Sequence, residues 1–502
     1  MVAGATLALA LPATAVAQTS APAASEAEQS LAEAQAALDP GLPVAESEDA
    51  SAALNTLATT LPALEGEART RAKALLARPT DGSADRYGHG FPRGAPVSSA
   101  ASEHFCVLFV SSPEFVDAPD LTDSDGDKTP DYVEAVLSMA ERSREVEVTP
   151  GPLGWAPPKP DRDGCGPDPS ARADIYLKQL GNAGLFGYES PDPGQGETRS
   201  KYGYLVIDDD YAPAEFGFAD PLDAARATVA HEFNHLLQQN YDSFQDVWLF
   251  EATAVWAEEH VYPEVNDYLN YVEVFAERPG VPITDRSGAK GLKIYGTGVW
   301  NHWLTGPGGG FGLDVVRRSW EVSAAVDPAD FAIAAYQQAI RDLGGRGFSR
   351  EFAEFAAATA EWRAAPGVFP DAALYPDVRR KQELHPGRRL EFTLDHTAFR
   401  MLDVRAGGGE PIVLRGAAEQ GVRASFALVA RDGSPVDGEV VVKRRYLEHG
   451  GKARLMLDAP ARFERISAVA INADGRTAGF SARDWAYRKD HQRFAVALGR
   501  PG

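Results

Sequence analysis

Val229-Ala-His-Glu-Phe-Asn-His-Leu-Leu-Gln238 sets two histidines four residues apart around a glutamate, in a run that otherwise reads as an apolar helix. Asp220-Pro221 is a strong helix start, with Asp as N-cap, Pro at the first helical position and Asp223 at the third. Leu222, Ala225, Val229, Phe233 and Leu236 then form a core-facing stripe, with a stop near Asn240. On such a helix, residues four apart stand one turn above each other, about 6 Å along the axis. His231 and His235 can therefore aim at one ion, with Glu232 beside them. The bland alternative is a helix with two surface or hydrogen-bonded histidines, so a third ligand has to decide.

Sixteen residues after His235 lies Glu251, in Trp248-Leu-Phe-Glu-Ala-Thr-Ala-Val-Trp-Ala-Glu-Glu259. A helix here buries Trp248, Leu249, Ala252, Val255 and Trp256 and sets Glu251 against that apolar surface. A carboxylate there is costly unless it is paired or binds a metal. Two imidazoles and one carboxylate suit zinc with an open fourth position for water. Glu232 is placed to take that water's proton as general base.

With these residues the chain resembles the gluzincin class of zinc metallopeptidases: His-Glu-x-x-His, then a glutamate in a Trp-x-x-Glu-x-x-Ala-x-Trp helix. The resemblance implies His231, His235 and Glu251 as zinc ligands and Glu232 as general base. The spacing to Glu251 is slightly short for the class, and Ala252 stands where glycine is usual. Val255 stands where some members keep an acidic residue behind the ligands, which makes Glu258 the candidate replacement. The metzincin pattern is excluded, because position 238 is Gln and position 241 is Tyr. Gluzincins commonly stabilise the oxyanion with a Tyr or His. Tyr295, in Lys293-Ile-Tyr-Gly-Thr-Gly-Val-Trp300, is the candidate and His302 the reserve; the alternative is Tyr295 as a half-buried packing residue.

Asp123-Ser-Asp-Gly-Asp-Lys-Thr-Pro-Asp-Tyr-Val-Glu134 carries carboxylates at positions 1, 3, 5, 9 and 12 of a twelve-residue loop. That spacing wraps a calcium ion through Asp123, Asp125, Asp127, the Thr129 carbonyl, Asp131 and Glu134. Position 6 is Lys128 where an EF-hand has Gly, and a solvated acidic turn is the alternative. The loop, a Tyr-rich strand and the zinc helix together resemble a group of poorly characterised secreted bacterial proteins assigned as metalloproteases, over roughly residues 100–305.

The 502 residues exceed one ordinary domain. Residues 1–17 resemble a secretory signal ending in Ala15-Val16-Ala17, without the usual basic start, which places the protein outside the cell or on its surface. In that compartment Cys106 and Cys165 can form a disulfide; a buried thiol at Cys106 is the alternative. Residues 18–99 read as a linker or pro-segment. Its first part, 18–50, is too poor in large apolar side chains to form a core, while 51–78 has helical Leu spacing broken at Pro62. Neither cysteine lies there, so no thiolate from this segment can cap a metal.

Strand-like runs at 105–111, 174–177 and 202–207 precede helical patterns at 220–240, 248–260, 294–304 and 327–363, which indicates an α+β domain over 100–383. The resemblance implies a zincin-like fold with a mixed sheet and an active-site helix, in which the 202–207 strand either binds substrate as an added strand or is simply core sheet. Alternating Leu390/Phe392/Leu394 and Phe426/Leu428/Ala430, with Asp432-Gly433 and Asp474-Gly475 as turns, read as a β-sandwich-like domain over 384–502.

Net charge is −23, which argues against nucleic acid as a partner. From Arg379 onward the balance is +8, from 23 basic and 15 acidic residues, and the remainder carries −31. The two parts can attract each other, or the basic part can dock on an anionic surface. No run is apolar enough to cross a membrane.

The expected function is thus a secreted zinc peptidase with a structural calcium, acting on peptides or proteins. Its rivals are a surface adhesion module with structural metals and a zinc amidase acting on a non-peptide amide. Glu232, useful only for chemistry, weighs against the first, and nothing in the sequence excludes the second.

Overall fold

The computed structural model describes residues 24–38, 50–81, 89–160, 172–195, 198–217, 220–285, 292–325, 331–364, 368–476 and 490–501. The expected signal segment and Cys165 lie outside them. Cys106 is disulfide-bonded. Among the described residues no helix is long and apolar enough to cross a membrane.

The chain opens with helices α1 (Ala24–Ala37), α2 (Ala50–Thr60) and α3 (Gly66–Leu75), with a 3-10 turn at Leu61–Ala63 where Pro62 breaks the helical run. The expectation that 18–50 takes no part in a core is corrected. Ala27, Leu31, Ala34 and Ala37 of α1 recur at helical spacing and are buried with Leu54 and Leu57 of α2. Small side chains suffice there because they let two helices approach closely.

A five-stranded sheet follows, built from β1 (Val97–Ala101), β2 (Phe105–Val110), β3 (Ala173–Lys178), β4 (Gly187–Pro191) and β5 (Gly203–Asp208), in the order β1-β2-β3-β5-β4. Strands β2, β3 and β5 run parallel; β1 and β4 are antiparallel to their neighbours, so the sheet is mixed. Of the two readings of residues 202–207, core sheet is the one the structure shows, and the added-strand role is corrected. Strand β5 is hydrogen-bonded to β3 on one side and β4 on the other, and the outer strand is β4. A continuous apolar run marks an interior strand, not an edge.

Helix α4 (Asp131–Glu147), between β2 and β3, and the later helices α6 (Pro221–Asp242) and α7 (Val247–Val261) share one apolar cluster with one face of this sheet. The short α5 (Pro213–Phe216) leads into α6, whose Asp220 N-cap accepts the Leu222 N–H at 3.0 Å as expected. Helix α8 (Tyr268–Glu277) follows, and the 294–304 pattern is two pieces, α9 (Lys293–Gly296) and α10 (Gly298–Thr305). Gly298 allows the second to lie against α7, since a Cβ there would meet Val255 Cγ1 at 3.0 Å. Helices α11 (Asp314–Ala325), α12 (Ala332–Asp342) and α13 (Phe348–Ala358) complete this part.

The remaining strands form two facing sheets. One holds β6 (Arg380–Leu384), β8 (Phe399–Val404), β10 (Ala424–Asp432), β11 (Glu439–Leu447) and β13 (Arg465–Asn472); the other holds β7 (Arg389–Leu394), β9 (Ile412–Ala418), β12 (Gly451–Leu457) and β14 (Gln492–Gly499). Leu402, Phe426 and Leu428 from the first meet Leu414, Leu455 and Phe494 from the second in one core, which makes a sandwich starting four residues before the expected boundary at 384. The outer face of the first sheet, through Met401, Val429 and Val469, joins the helical cluster. Arg431 and Arg380 reach Glu361 at 2.8 and 3.3 Å across this junction, and Arg465 pairs with Asp377 at 2.9 Å. The charge asymmetry between the two parts is therefore used, at least in part, within the chain.

Candidate metal centre and active site

Helix α6 runs under the sheet and turns His231 and His235 toward α7, which returns antiparallel with Glu251 facing them. His231 Nε2 lies 3.2 Å and His235 Nε2 3.5 Å from Glu251 Oε2, and the two rings stand nearly perpendicular with centroids 4.6 Å apart. Among the described residues these three form one of three groups whose ligand atoms converge closely enough for a metal ion.

Outer partners fix both rings. His231 Nδ1 lies 2.5 Å from Glu258 Oε1. His235 Nδ1 lies 2.8 Å from Gln238 Oε1. Asn234 Oδ1, the Phe250 carbonyl and Thr253 Oγ1 surround the Gln238 amide nitrogen and hold its oxygen toward the ring. His235 thus donates from Nδ1 and presents Nε2 to the cluster. Orientation of a ligand histidine through its other ring nitrogen is what a metal site requires. Glu258 takes the role expected of it; Gln238 was missed, although His235 and Gln238 three apart on one helix face is a readable signal.

Electrostatics point the same way. Glu147, Glu189, Glu232, Glu251 and Glu258 are all buried around the two histidines. Burial raises Glu147 and Glu189 to about 8 and Glu258 to about 7, each only partly offset by neighbours. Burial also raises Glu232. Burial opposes charge on His235, but Glu251 outweighs it and lifts the imidazole to about 9. Burial likewise opposes ionisation of Glu251, yet His235 and His231 hold its carboxyl well below the usual range. A divalent cation held between these side chains would offset this concentration of buried carboxylates. Glu251 Oε1 is buried without a hydrogen-bond partner. The donor set and this orphaned oxygen fit zinc.

Glu232 extends toward β4 while staying within electrostatic reach of both histidines. Gly187 allows the approach, since a Cβ there would meet Thr228 Cγ2 at 2.6 Å and Glu232 Cγ at 3.3 Å. Ser51 of α2 donates from its hydroxyl to Glu232 Oε2 at 3.0 Å. Tyr295 lies parallel to His231 with centroids 5.9 Å apart, so the structure brings it to the site. His302 is not brought there by its described contacts; its ring faces His260 and Tyr268.

In the acidic loop, ligand oxygens of Asp123, Asp125 and Asp127 converge. Asp123 accepts the Gly126 and Lys128 N–H groups, Asp127 accepts that of Thr129, and Asp131 reaches back to Ser124. Glu134 is raised by its limited burial and by Asp127, Asp125, Asp131 and Asp123, which places it beside them. Lys128 adopts φ +84°, the left-handed conformation for which glycine is favoured at this loop position. The departure from Gly is thus absorbed as backbone strain. The third converging group is Asp208, Asp209 and Asp210. Asp208 there accepts four backbone N–H groups, from Leu180, Gly181, Asp210 and Tyr211.

A scan against models of protein families finds no match to this chain, and a search of curated proteins finds none either.

Proposed function

We propose that this protein is an exported zinc peptidase of the gluzincin type, with a structural calcium in the 123–134 loop. The observation that carries the reading is the convergence of His231, His235 and Glu251 with Glu232 beside them. His231, His235 and Glu251 would hold the zinc, whose chemistry when bound is Lewis-acid polarisation of a carbonyl and acidification of a water. Glu232 takes the water's proton through its carboxylate and returns it to the leaving amine. Its burial and raised affinity for protons suit that exchange. Tyr295, whose ring stacks on that of His231, is the candidate donor to a developing oxyanion. Glu258 and Gln238 hold the imidazoles in orientation.

The test combines metal content with hydrolysis. Wild type is expected to bind one zinc, Glu251→Gln to lose it, and Glu232→Ala to keep it while losing casein hydrolysis by about 10²–10⁴-fold. Hydrolysis is assayed on the intact chain and after limited tryptic nicking. Tight zinc binding by Glu251→Gln overturns the third ligand. Zinc-loaded protein inactive on peptides in both forms overturns the peptidase, and activity on a small non-peptide amide would then select the amidase.

A further inference from the structure

The N-terminal helices reach the centre of the site. Helix α2 lies along β4, the outer strand whose inner edge is taken by β5. The Ser51 hydroxyl accepts the Glu189 N–H of β4 at 3.0 Å and donates to Glu232 Oε2 at 3.0 Å. One oxygen therefore fills two positions. It sits where a substrate carbonyl would sit if an extended peptide paired with β4, and it bonds the carboxylate oxygen that would otherwise face a water. With α2 in place His231 is 8% exposed, Glu232 6%, His235 1% and Glu251 0%, so the candidate ligands and Glu232 are covered.

The docking is substantial. Leu54, Leu57, Leu61, Leu75 and Leu76 bury against Tyr176, Tyr188, Tyr204 and Val206 on the sheet face opposite α6. The Asn55 amide donates to the Ser243 carbonyl at the end of α6. Arg78 closes the segment with buried ion pairs to Asp174 and Asp192.

We propose that helices α1–α3 are a built-in inhibitor, in which α2 occupies the substrate groove along β4 and Ser51 caps Glu232. The inference rests on the peptidase reading above, and names the regulation of that site. Displacing α2 frees the Glu189 N–H and the Glu232 carboxylate together.

The experiment compares the zinc-loaded full chain as wild type, Ser51→Ala and Leu54→Asp/Leu57→Asp. Three quantities are read: hydrogen exchange at the Glu189 amide, the rate of zinc extraction into a chromogenic chelator, and cleavage of an internally quenched peptide. The double variant is expected to accelerate all three by about tenfold or more, and Ser51→Ala by about two- to fivefold. Glu232→Ala in the opened background is expected to abolish cleavage alone. Faster exchange and extraction without cleavage keeps α2 as a displaceable cover of the site and overturns the peptidase. Equal cleavage in wild type and the variants keeps the peptidase and overturns the inhibitor. Should the charged pair unfold the chain, Ser51→Ala, which removes one oxygen, decides: unchanged exchange and extraction there overturns the proposal.

Discussion

The two faces of the five-stranded sheet are built from different materials. On the α6 side the core interlocks large rings: Phe105 against Phe233 at 5.2 Å, Trp155 against Trp320 at 6.1 Å, and Phe250 against Trp320 at 4.9 Å. On the other side, Ala and Leu from three helices lie over tyrosines of the sheet. Interlocked aromatics hold ligands within the tolerance that chemistry needs, because a packed core resists deformation. A leucine layer adheres without such registry, and a segment held by it can leave as a unit. The first face builds the site and the second covers it; both meet at β4.

The largest effects should separate the faces. Phe233→Ala removes a fully buried ring packed on Phe105 and is expected to cost about 3–5 kcal/mol of global stability. Leu54→Ala, equally buried, should cost about 2–4 kcal/mol, but of docking. Native-state hydrogen exchange checks this. The leucine variant should raise exchange in 24–75 while the amides of α6 and α7 stay protected. If both variants lower protection uniformly, the chain is one cooperative unit and the contrast between the faces fails.

Next in size is the outer shell of the metal centre. Glu258→Gln weakens the acceptor for His231 Nδ1 and should lower zinc affinity about 10–100-fold in competition with a chelator. Ser51→Ala should leave equilibrium affinity within about twofold, because its hydroxyl touches Glu232 and not a ligand. A large change with Ser51→Ala would mean that the covering face helps build the site.

These differences follow what the sequence could and could not carry. The His-Glu-x-x-His helix is readable because histidine spacing and apolar stripe are local, and the pairing of Glu251 because a carboxylate on an aromatic helix demands a partner. The sandwich strands showed in their alternation. Strand β4, Gly-Tyr-Glu-Ser-Pro, was hidden: Gly and Pro are depleted in strands, and only an edge tolerates them. The bond from Ser51 to Glu232 spans 181 residues, and a serine in an Ala/Leu helix has no pattern of its own. Helix α1 was set aside because composition was read as bulk hydrophobicity, whereas its Ala positions act through spacing.

A smaller effect tests the sheet end from which α6 is reached. Asp209, after β5, is raised to about 8 by burial and by Asp208, Asp210 and Asp117, against an ordinary value of 3.8. Its folded state therefore binds the proton more tightly than the unfolded chain. That contribution is complete below pH about 4 and is lost as pH rises through about 8. Asp209→Asn removes the ionisation and should flatten the decline in melting temperature between pH 4 and 8, leaving the variant about 1–2 kcal/mol more stable than wild type near pH 8. A lower melting temperature for the variant near pH 8 would show that Asp209 is held ionised by a cation, which would give the site-building face another fixed charge.

The smallest effect is at Lys128, in the loop that opens helix α4 on the site-building face. Its φ of +84° costs a lysine roughly 1 kcal/mol that glycine does not incur. Glycine loses more backbone freedom on ordering, which returns part of that gain. Lys128→Gly should therefore change the melting temperature without added metal by only about 1–3 °C, while removing one positive charge from a ring of carboxylates. Both relief of strain and loss of the charge favour a bound cation, so calcium affinity, read by titration with a fluorescent indicator, should rise about two- to tenfold. If the loop instead serves as a solvated turn, the same substitution leaves calcium binding unmeasurable and moves stability alone. Strain retained at position 6 without any cation would then mean that the backbone is held by the carboxylate-to-amide bonds of Asp123 and Asp127, and that the site-building face owes its rigidity to side-chain rings and not to an ion.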